Sequence, residues 1–407
     1  MNMKQIYLDY AATTPTDPEV FEKMKFFFEN DSQDFGNPSS LHYFGQRAQG
    51  ALDFSRQKIA QTIGANFREI IFTSSATEAN NLIIRGVIDA VENNFKNSAR
   101  NILPKIIVSS VEHPSVLETV KGLESRKMAE AAYLPVDKNG LVDLSVLEKE
   151  LNENVVLVSV MAVNNEIGTV EPIEKIAKLI GDYRKSKQDN KEIKYPLFHC
   201  DATQAFNLFD LNVIKSGVDL MTFSSHKIYG PKGAAAAYIK GGADKAYFIK
   251  PITTGGGQEY GLRAGTENIP AIVGFAYAAE KSFMLFKKEK ERLDKISKSF
   301  IEEVKKEFPE AEINGFSENK SPHIVNLYFP HNKNIGISLD LMGISASAGS
   351  ACAQRIEKPS HVLKAMGFSD DRISQSIRFS FGRFFSQDDI RQSVEKISQA
   401  LKNKKNN

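Results

Sequence analysis

The sequence contains little cysteine, no long apolar run and almost no net charge. Only two cysteines, Cys200 and Cys352, occur among 407 residues, so the chain has no disulfide framework and any special role falls to a single thiol. No apolar stretch approaches the roughly 20 residues that span a bilayer, and the first residues lack the apolar segment of a signal peptide. We therefore expect a cytoplasmic protein that does not enter a membrane.

The charge balance gives no sign of a nucleic-acid partner, and we expect no direct contact with one. Lysine and arginine number 52 against 50 aspartate and glutamate residues, a formal net charge of +2. The basic residues are scattered, and the basic run at 402–405 lies at the end of the chain. A hydrophobic content of 42% with 25% charged residues is ordinary for a globular protein, and the length allows two domains.

Segments with the patterns of buried strands and of helices alternate through the first part of the chain. Continuous apolar segments typical of buried strands lie at 70–74, 106–110, 155–161, 197–201, 219–223 and 234–239. Helical periodicity is clearest over 44–63 and 173–185. This alternation predicts an α/β fold: a large domain with a mostly parallel sheet sandwiched by helices.

The rest of the chain predicts a smaller α+β domain. A long helical segment covers about 271–308, and two strands at 323–329 and 376–381 are accompanied by helices at 337–342 and near the C-terminus. We assign residues 16–270 to the large domain. Residues 1–15 and 271–407 form the predicted small domain.

Three further segments are predicted to be loops outside the core. Segments 92–100 and 186–194 are rich in charged residues and asparagine, which is typical of surface loops. Segment 255–266 contains too many glycines to be part of a core.

Several polar side chains follow directly after predicted strands of the large domain. They are Thr77, His113, Asn165, Asp201, Gln204 and Lys227. In parallel α/β sheets the ligand site lies at the carboxyl ends of the strands, so we expect these side chains to meet. Each has a plainer explanation when taken alone, such as a helix cap, a satisfied loop histidine, a turn residue or a surface lysine. Their coincidence at one edge of the sheet favours a site.

Together these side chains satisfy the requirements of a pyridoxal phosphate site. Lys227 lies on a Gly-Pro turn between two buried strands, and an amine made neutral by such surroundings forms Schiff bases with carbonyls. Asp201 offers a carboxylate for the pyridinium nitrogen, and His113 offers a planar group for the ring face. The predicted helix start at 75–80 provides backbone N–H groups and the Thr77 hydroxyl for a phosphate.

The chain resembles the class V aminotransferase-fold enzymes and, among them, the cysteine desulfurases. The likeness runs nearly end to end, from 7–15 to 376–380. The motifs that carry it, in order, are 35–40, 72–78, 163–168, 201–204, the Lys227 turn at 224–233, 263–266 and 349–352. The spacing from Cys352 to 360–363 matches the long-loop group of that family.

The resemblance implies a cofactor, pyridoxal 5'-phosphate, and a role for each matched residue. Lys227 is expected to bind the cofactor covalently and to move the Cα proton of the substrate. Asp201 is expected to pair with the ring nitrogen, Gln204 to bond the ring hydroxyl, and His113 to stack on the ring and act in acid–base steps. The phosphate group is expected to be held by the backbone of Ala76 and by Thr77, Ser224 and His226. No metal is implied.

The resemblance also implies the substrate and a partner subunit. Asn165 is expected beside cofactor and substrate, with Asn37 and Arg378 on the carboxylate of L-cysteine. The planar guanidinium of Arg378 suits a carboxylate on chemical grounds as well. Thr266 is expected to reach the cofactor phosphate of a neighbouring subunit, which implies a homodimer.

Cys352 is the residue that separates this family from its relatives. Its small and polar surroundings alone are equally typical of a tolerated, exposed thiol. The resemblance implies a nucleophile that takes sulfur from L-cysteine, leaving L-alanine and a persulfide. Cys200, inside an apolar strand, is predicted to be inert core. Small departures, such as Ala348 and Ala264 in positions where relatives often carry serine, should not remove the chemistry.

The sulfur acceptor and the pathway are left open. A sulfur-acceptor or scaffold protein is expected, in iron–sulfur cluster assembly or in tRNA thiolation. The chain ends soon after its last predicted helix, without the extended tail by which some long-loop members bind a scaffold. Two alternatives remain. A selenocysteine lyase or another class V enzyme uses the same cofactor site and needs Cys352 less, and a cofactor-binding or interaction protein that has lost catalysis needs no nucleophile.

Overall fold

A computed structural model describes residues 5–29, 31–96, 102–187, 195–242, 248–315, 320–333, 335–347 and 359–405. The positions of Cys352 and Ala348 lie outside these ranges. Parts of the two predicted polar loops also lie outside them.

The helices and strands before residue 240 alternate as predicted. In chain order they are β1 (Ile6–Tyr7), α1 (Pro18–Lys25), α2 (Tyr43–Ile63), β2 (Ile70–Thr73), α3 (Ala76–Lys96), β3 (Lys105–Ser109), α4 (Pro114–Ser125), β4 (Glu130–Leu134), α5 (Leu144–Glu150), β5 (Val155–Ser159), α6 (Ile173–Ser186), β6 (Leu197–Asp201), α7 (Val213–Ser216), β7 (Leu220–Ser224) and β8 (Ala235–Ile239). The prediction of a loop over 92–100 is wrong in its first half, because α3 continues to Lys96.

The remaining described elements begin with one long helix. They are α8 (Ile269–Glu307), β9 (Glu312–Asn314), β10 (Ile324–Tyr328), α9 (Ile335–Leu341), β11 (Ile344–Ser345), α10 (His361–Ala365), α11 (Asp370–Ser374), β12 (Ser376–Ser380) and α12 (Gln387–Lys405). The strands predicted at 323–329 and 376–381 therefore form within one residue of their expected bounds.

The central sheet has seven strands in the order β2-β8-β7-β6-β5-β3-β4. The pairs from β7 to β4 are parallel, whereas β8 runs antiparallel to β7 and β2. Strands β5, β6, β7 and β8 are buried along their whole length, as expected for a sheet covered on both faces. One apolar cluster joins the sheet to α2, α6 and the first part of α8, and another joins it to α3 and α4. The mostly parallel sheet sandwiched by helices is confirmed.

A smaller sheet, in the order β12-β10-β9, is antiparallel. The start of the chain belongs to this part of the fold, because β1 pairs with β11 and Asp9 forms a bridge to Ser380. Ile6 and Leu8 accordingly share an apolar cluster with β10, β12 and α12. The predicted assignment of residues 1–15 and 271–407 to one domain stays a prediction.

Helix α8 contributes to both cores. Its first turns, such as Phe275, pack in the cluster of the large sheet, whereas Phe300 packs in the cluster of the small one. By length and composition alone this helix is apolar enough to cross a membrane, which corrects the expectation that no such stretch exists. Just over half of its apolar window, 56%, is buried inside the fold, so packing between the two cores accounts for its composition.

The Gly-rich segment 255–266 is not wholly outside the core. Glu259 is 4% exposed, and its carboxylate accepts two hydrogen bonds from Arg56, of 2.6 and 2.7 Å. Its Oε2 also accepts the backbone N–H of Phe72 on β2, at 2.7 Å. The buried ion pair and the bond to Phe72 fix the segment at the edge strand.

Candidate active site

A cavity of about 210 Å³ opens where the carboxyl ends of β5, β6 and β7 face the small domain. The predicted site residues that line it are Ala76, Thr77, His113, Asn165, Asp201, Gln204, His226, Lys227 and Arg378. The expectation that side chains following separate strands meet at one edge is therefore confirmed. The structure also adds residues that sequence reasoning missed: Ala11, Ala12, Ser75, Ser115, Met161 and Thr203.

Lys227 lies on a single helical turn directly after β7, as predicted. A Cβ at Gly230 would lie 2.1 Å from the Ser225 hydroxyl oxygen, so the turn closes only with glycine there. The amine donates hydrogen bonds to the carbonyls of Ala11, at 2.5 Å, and Ala12, at 2.8 Å. The N-terminal segment of the chain thus positions the Lys227 amine in the cavity.

Asp201 ends β6 and is 4% exposed. Its Oδ2 accepts a hydrogen bond from Asn80 Nδ2 at 2.9 Å, and its Oδ1 accepts one from the Thr203 N–H at 3.0 Å. Asn80, which the sequence analysis missed, lies one turn into α3 and is fully buried. A polar residue three positions after Thr77 on the predicted helix was the available signal.

His113 precedes α4 and caps it, because its Nδ1 accepts the N–H of Ser115 at 3.1 Å. Burial lowers the pKa of His113, and the charge of Lys227 acts in the same direction, while Asp201 opposes both. The imidazole is therefore neutral near pH 7, with Nδ1 occupied and Nε2 carrying the proton. A neutral ring that holds a proton on one free nitrogen can stack on a cofactor and exchange that proton.

One end of the cavity suits a phosphate group. The first backbone N–H groups of α3, at Ala76 and Thr77, have no partner within their own helix, and the Thr77 hydroxyl stands beside them. Burial, reinforced by Lys227, lowers the pKa of His226 to about 3, so this histidine is a neutral donor. Ser224 does not line the cavity, but its buried hydroxyl has no hydrogen-bond partner in the described part of the chain.

Arg378 lies on β12 of the small sheet, lines the cavity and is 1% exposed. Its Nη2 donates to Asp9 Oδ1 at 2.6 Å, and its Nη1 donates to the carbonyl of Asn165 at 2.8 Å. Its Nε and the Asn165 Oδ1 are buried without a partner among the described residues. A guanidinium that is held in place through Nη1 and Nη2 and still has an unbonded Nε is suited to binding a carboxylate.

Gln204 is fixed between the two parts of the fold. Its Nε2 donates to the Ala11 carbonyl at 2.8 Å, and its Oε1 lies 3.2 Å from His323 Nε2. Burial lowers the pKa of His323 to about 3, so the neutral ring donates to Gln204. Sequence reasoning found Gln204 but not His323, which directly precedes β10 of the small sheet.

Besides Ser224, two predicted residues of the described chain, Asn37 and Thr266, do not line the cavity. Asn37 is exposed, and its side chain accepts the N–H of Ser39 at 2.9 Å. Thr266 is exposed and borders a separate cavity of about 310 Å³ beside Arg263. Cys352 lies outside the described residues. Cys200 is 1% exposed, and burial raises the pKa of its thiol well above the ordinary value.

Comparison with known proteins identifies the class of enzyme to which this site belongs. Residues 6–392 match the family described as aminotransferase class-V. A solved structure of a NifS-like protein superposes with a TM-score of 0.86 at 33% identity, covering 98% of this chain and all of the other. The chain belongs to the class-V aminotransferase family.

Its curated relatives narrow the assignment. It is 40% identical over 400 residues to cysteine desulfurase IscS of Dictyoglomus turgidum, covering 98% of this chain and 95% of the relative. It is 39% identical over 403 residues to the putative cysteine desulfurase IscS 1 of Bacillus subtilis, covering 98% and 99%. Within its family the chain is one of the cysteine desulfurases, and its cofactor is pyridoxal 5'-phosphate.

The residues present fit this cofactor. The cavity offers an amine at Lys227, a buried carboxylate at Asp201 and a helix start at Ala76. The hydroxyl of Thr203, which also lines the cavity, is buried without a partner among the described residues. Unsatisfied polar atoms of this kind are expected where a polar ligand completes the hydrogen bonding.

Proposed function

We propose that this enzyme removes sulfur from L-cysteine, releases L-alanine and retains the sulfur as a persulfide on Cys352. The observation that carries the proposal is the meeting of Lys227, Asp201 and His113 with Arg378 in one cavity between the two parts of the fold. A solved structure of SspA in complex with cysteine, 32% identical over 93% of this chain with a TM-score of 0.79, supports L-cysteine as the substrate.

Bound pyridoxal phosphate supplies an electron sink for the substrate's amino-bearing carbon. Lys227 binds the cofactor and then, as a free amine, removes the Cα proton. Asp201, held by Asn80 and the Thr203 N–H, keeps a negative charge opposite the ring nitrogen. Gln204 would bond the ring hydroxyl of the cofactor, and His113 would lie against the ring and exchange protons through Nε2.

The phosphate end is held by the start of α3. The N–H groups of Ala76 and Thr77 and the Thr77 hydroxyl donate to phosphate oxygens, and the helix dipole favours the negative charge. Neutral His226 and the Ser224 hydroxyl add donors without adding charge. Preformed donors of this kind fix the cofactor before the substrate arrives.

The substrate carboxylate binds Arg378, with Asn165 beside it. The Asp9 carboxylate holds the guanidinium plane in place through Nη2. The backbone carbonyl of Asn165 accepts from Nη1, which keeps Asn165 beside the guanidinium. This arrangement selects a substrate with a carboxylate next to its amino group.

Cys352 performs the sulfur transfer. Its thiolate attacks the sulfur of the bound cysteine, the carbon–sulfur bond breaks, and a sulfur–sulfur bond forms. The electron pair of the broken bond stays on the CH2 carbon, which gains one proton to become the methyl group of L-alanine. One cysteine and one enzyme thiol thus give one alanine and one persulfide, with no external oxidant or reductant.

We propose further that the active enzyme is a homodimer. Asn37 and Thr266 are both exposed and outside the cavity of their own chain, which supports a role towards a neighbouring subunit. Thr266 then completes the phosphate site of the partner's cofactor. We place the protein in the cytoplasm, where free thiols persist, and propose a sulfur-acceptor protein in iron–sulfur cluster assembly or tRNA thiolation.

The function is tested with the purified, cofactor-loaded protein and L-cysteine in the presence of a thiol reductant. We expect alanine and sulfide in equal amounts, loss of both in Cys352→Ala, and unchanged yields in Cys200→Ala as the matched control. Transfer of the amino group to a 2-oxo acid instead, or alanine formation by Cys352→Ala at the wild-type rate, contradicts the proposal. The latter result favours a lyase that needs no protein thiol.

A further inference from the structure

A second cavity, of about 650 Å³, is separate from the active site. It lies between α8, the segment that follows β5 and the segment that leads into β10, and it shares no lining residue with the active-site cavity. Much of its wall is apolar, with Leu144, Phe209 and Pro322 among its residues. An apolar cavity with a few convergent polar groups is the usual form of a small-molecule site.

The first polar group in this cavity is the amine of Lys320. Its Nζ is buried and has no hydrogen-bond partner among the described residues. Backbone pairing to Thr169 and the bond from the Ser321 N–H to the Gly168 carbonyl, 2.8 Å, hold this part of the chain in place. Burial lowers the pKa of Lys320 to about 8. A desolvated amine with three unused donors is unfavourable unless something binds it.

The second polar group is the carboxyl of Glu171. Its Oε2 accepts the Val142 N–H at 3.2 Å, whereas its Oε1 is buried without a partner in the described part of the chain. Burial raises the pKa of Glu171 to about 8. The carboxyl is therefore protonated at neutral pH and can donate a hydrogen bond from Oε1.

The two orphaned groups match one kind of ligand. Lys320 supplies one positive charge and protonated Glu171 supplies a neutral donor, and these are the kinds of hydrogen-bond donor that a carboxylate accepts. Around the opening, the positive charges of Lys175 and Lys290 are matched by the negative charges of Glu291 and Asp294, so no excess of positive charge is available for a dianion. The apolar wall suits a hydrocarbon body.

We propose that this cavity binds a small organic monocarboxylate with an apolar body, anchored by Lys320 and Glu171. The carboxylate accepts hydrogen bonds from Lys320 Nζ and Glu171, and the carbon chain lies against Phe209, Leu144 and Pro322. This site is distinct from the one for L-cysteine, and the inference does not depend on the proposed reaction.

Hexanoate is the probe, titrated into the cofactor-loaded enzyme and followed by calorimetry and by saturation-transfer NMR. We expect saturable binding that Lys320→Met weakens about tenfold or more, since a charged hydrogen bond is lost. The matched control, Lys175→Gln at the exposed rim, should bind hexanoate as the wild type does. Glu171→Gln keeps a donor at the same place and should also bind.

Two further ligands test the chemical class on the unchanged protein. Hexan-1-ol lacks the carboxylate and should bind at least about tenfold more weakly than hexanoate. The dianion succinate should also bind more weakly than hexanoate. The proposal is overturned if hexanoate shows no saturable binding, if it binds Lys320→Met as tightly as the wild type, or if succinate binds more tightly. If Lys320→Met does not fold, as judged by thermal unfolding and cofactor absorbance, Lys320→Gln takes its place.

Discussion

The lysine amines of the active-site cavity and of the second cavity differ in their hydrogen bonding. Lys227 donates to the carbonyls of Ala11 and Ala12, whereas Lys320 has no hydrogen-bond partner among the described residues. The carboxyl groups differ similarly, because Asp201 is bonded to Asn80 and to the Thr203 N–H, while Glu171 Oε1 has no partner in the described part of the chain. In the active site the amine and the carboxylate are aligned in advance by their neighbours, whereas in the second cavity Lys320 Nζ and Glu171 Oε1 are left for a ligand to bond.

The alignment of the active site comes largely from the start of the chain. Segment 9–14 supplies the carbonyls for Lys227 and Gln204, and Asp9 for Arg378. It belongs to the small-sheet part of the fold through β1 and the bridge to Ser380. The two parts of the fold are thus fastened together at the cavity.

The largest effect is expected for Lys227→Ala. Removing the amine removes both the cofactor's attachment point and the base, so turnover of L-cysteine should fall by about 10³-fold or more. The long-wavelength absorbance of the cofactor should also be lost on dialysis. Lys232→Ala, an exposed lysine in the same turn, is the control and should keep both. Wild-type turnover in Lys227→Ala would contradict the assignment of Lys227 as the cofactor-binding lysine and base.

A smaller loss is expected for Asp201→Asn. The amide keeps the contact with Asn80 but lacks the charge that stabilises a protonated ring nitrogen, so kcat should fall about 100-fold while the cofactor remains bound. Steady-state kinetics and the absorbance spectrum measure both quantities. Asp210→Asn, at an exposed position, should behave as the wild type. Near-normal kcat in Asp201→Asn means that another group holds the ring nitrogen.

Arg378→Lys should act mainly on substrate binding. Lysine keeps the charge beside Asp9 but not the planar donor geometry, so KM for L-cysteine should rise about tenfold with a smaller change in kcat. Kinetics over a range of cysteine concentrations separate the two. An unchanged KM indicates that the carboxylate binds elsewhere in the cavity.

Lys320→Met should change stability rather than chemistry. Without added carboxylate, the variant should be more stable than the wild type by about 1–3 kcal/mol near pH 7, because the folded protein holds a desolvated charge there. In the folded protein the pKa of Lys320 is lowered from 10.5 to about 8. Between these pH values, Lys320 is protonated in the unfolded wild type and deprotonated in the folded wild type. Wild-type stability then rises with pH relative to the variant.

Urea unfolding at pH 7 and pH 10 measures this difference. We expect the stability difference between Lys320→Met and the wild type to be smaller at pH 10 than at pH 7. For Lys175→Met, which replaces an exposed lysine, the difference should be small at both pH values. A variant less stable than the wild type at pH 7 contradicts the description of Lys320 as an unsatisfied charge.

The sequence predicted the large sheet and the residues at its carboxyl edge because both depend on local patterns. Apolar segments identified β5 to β8, and Thr77, His113, Asn165, Asp201 and Lys227 all lie at or after the ends of strands. Strand β4 was missed, since its residues 130–134 are mostly part-exposed and lack the apolar pattern. Arg378 was found, but its partner Asp9 lies 369 residues away in the chain, a distance at which spacing carries no information.

The second cavity had no signal in the sequence. Lys320 ends a polar stretch, and only the fold buries its amine. The same holds for Glu259, which appeared to lie in a glycine-rich loop and instead forms a buried ion pair with Arg56. The role of Cys352 stays a prediction, because it rests on the resemblance and on no described contact.

The central claim is that sulfur passes through Cys352 and not through Cys200. Its most direct test is peptide mass spectrometry of the cofactor-loaded enzyme after brief exposure to ³⁴S-labelled L-cysteine without reductant. We predict one additional labelled sulfur on the peptide that contains Cys352 and none on the peptide that contains Cys200, whose thiol is buried with a raised pKa. Release of alanine without labelled sulfur on Cys352 would contradict the account.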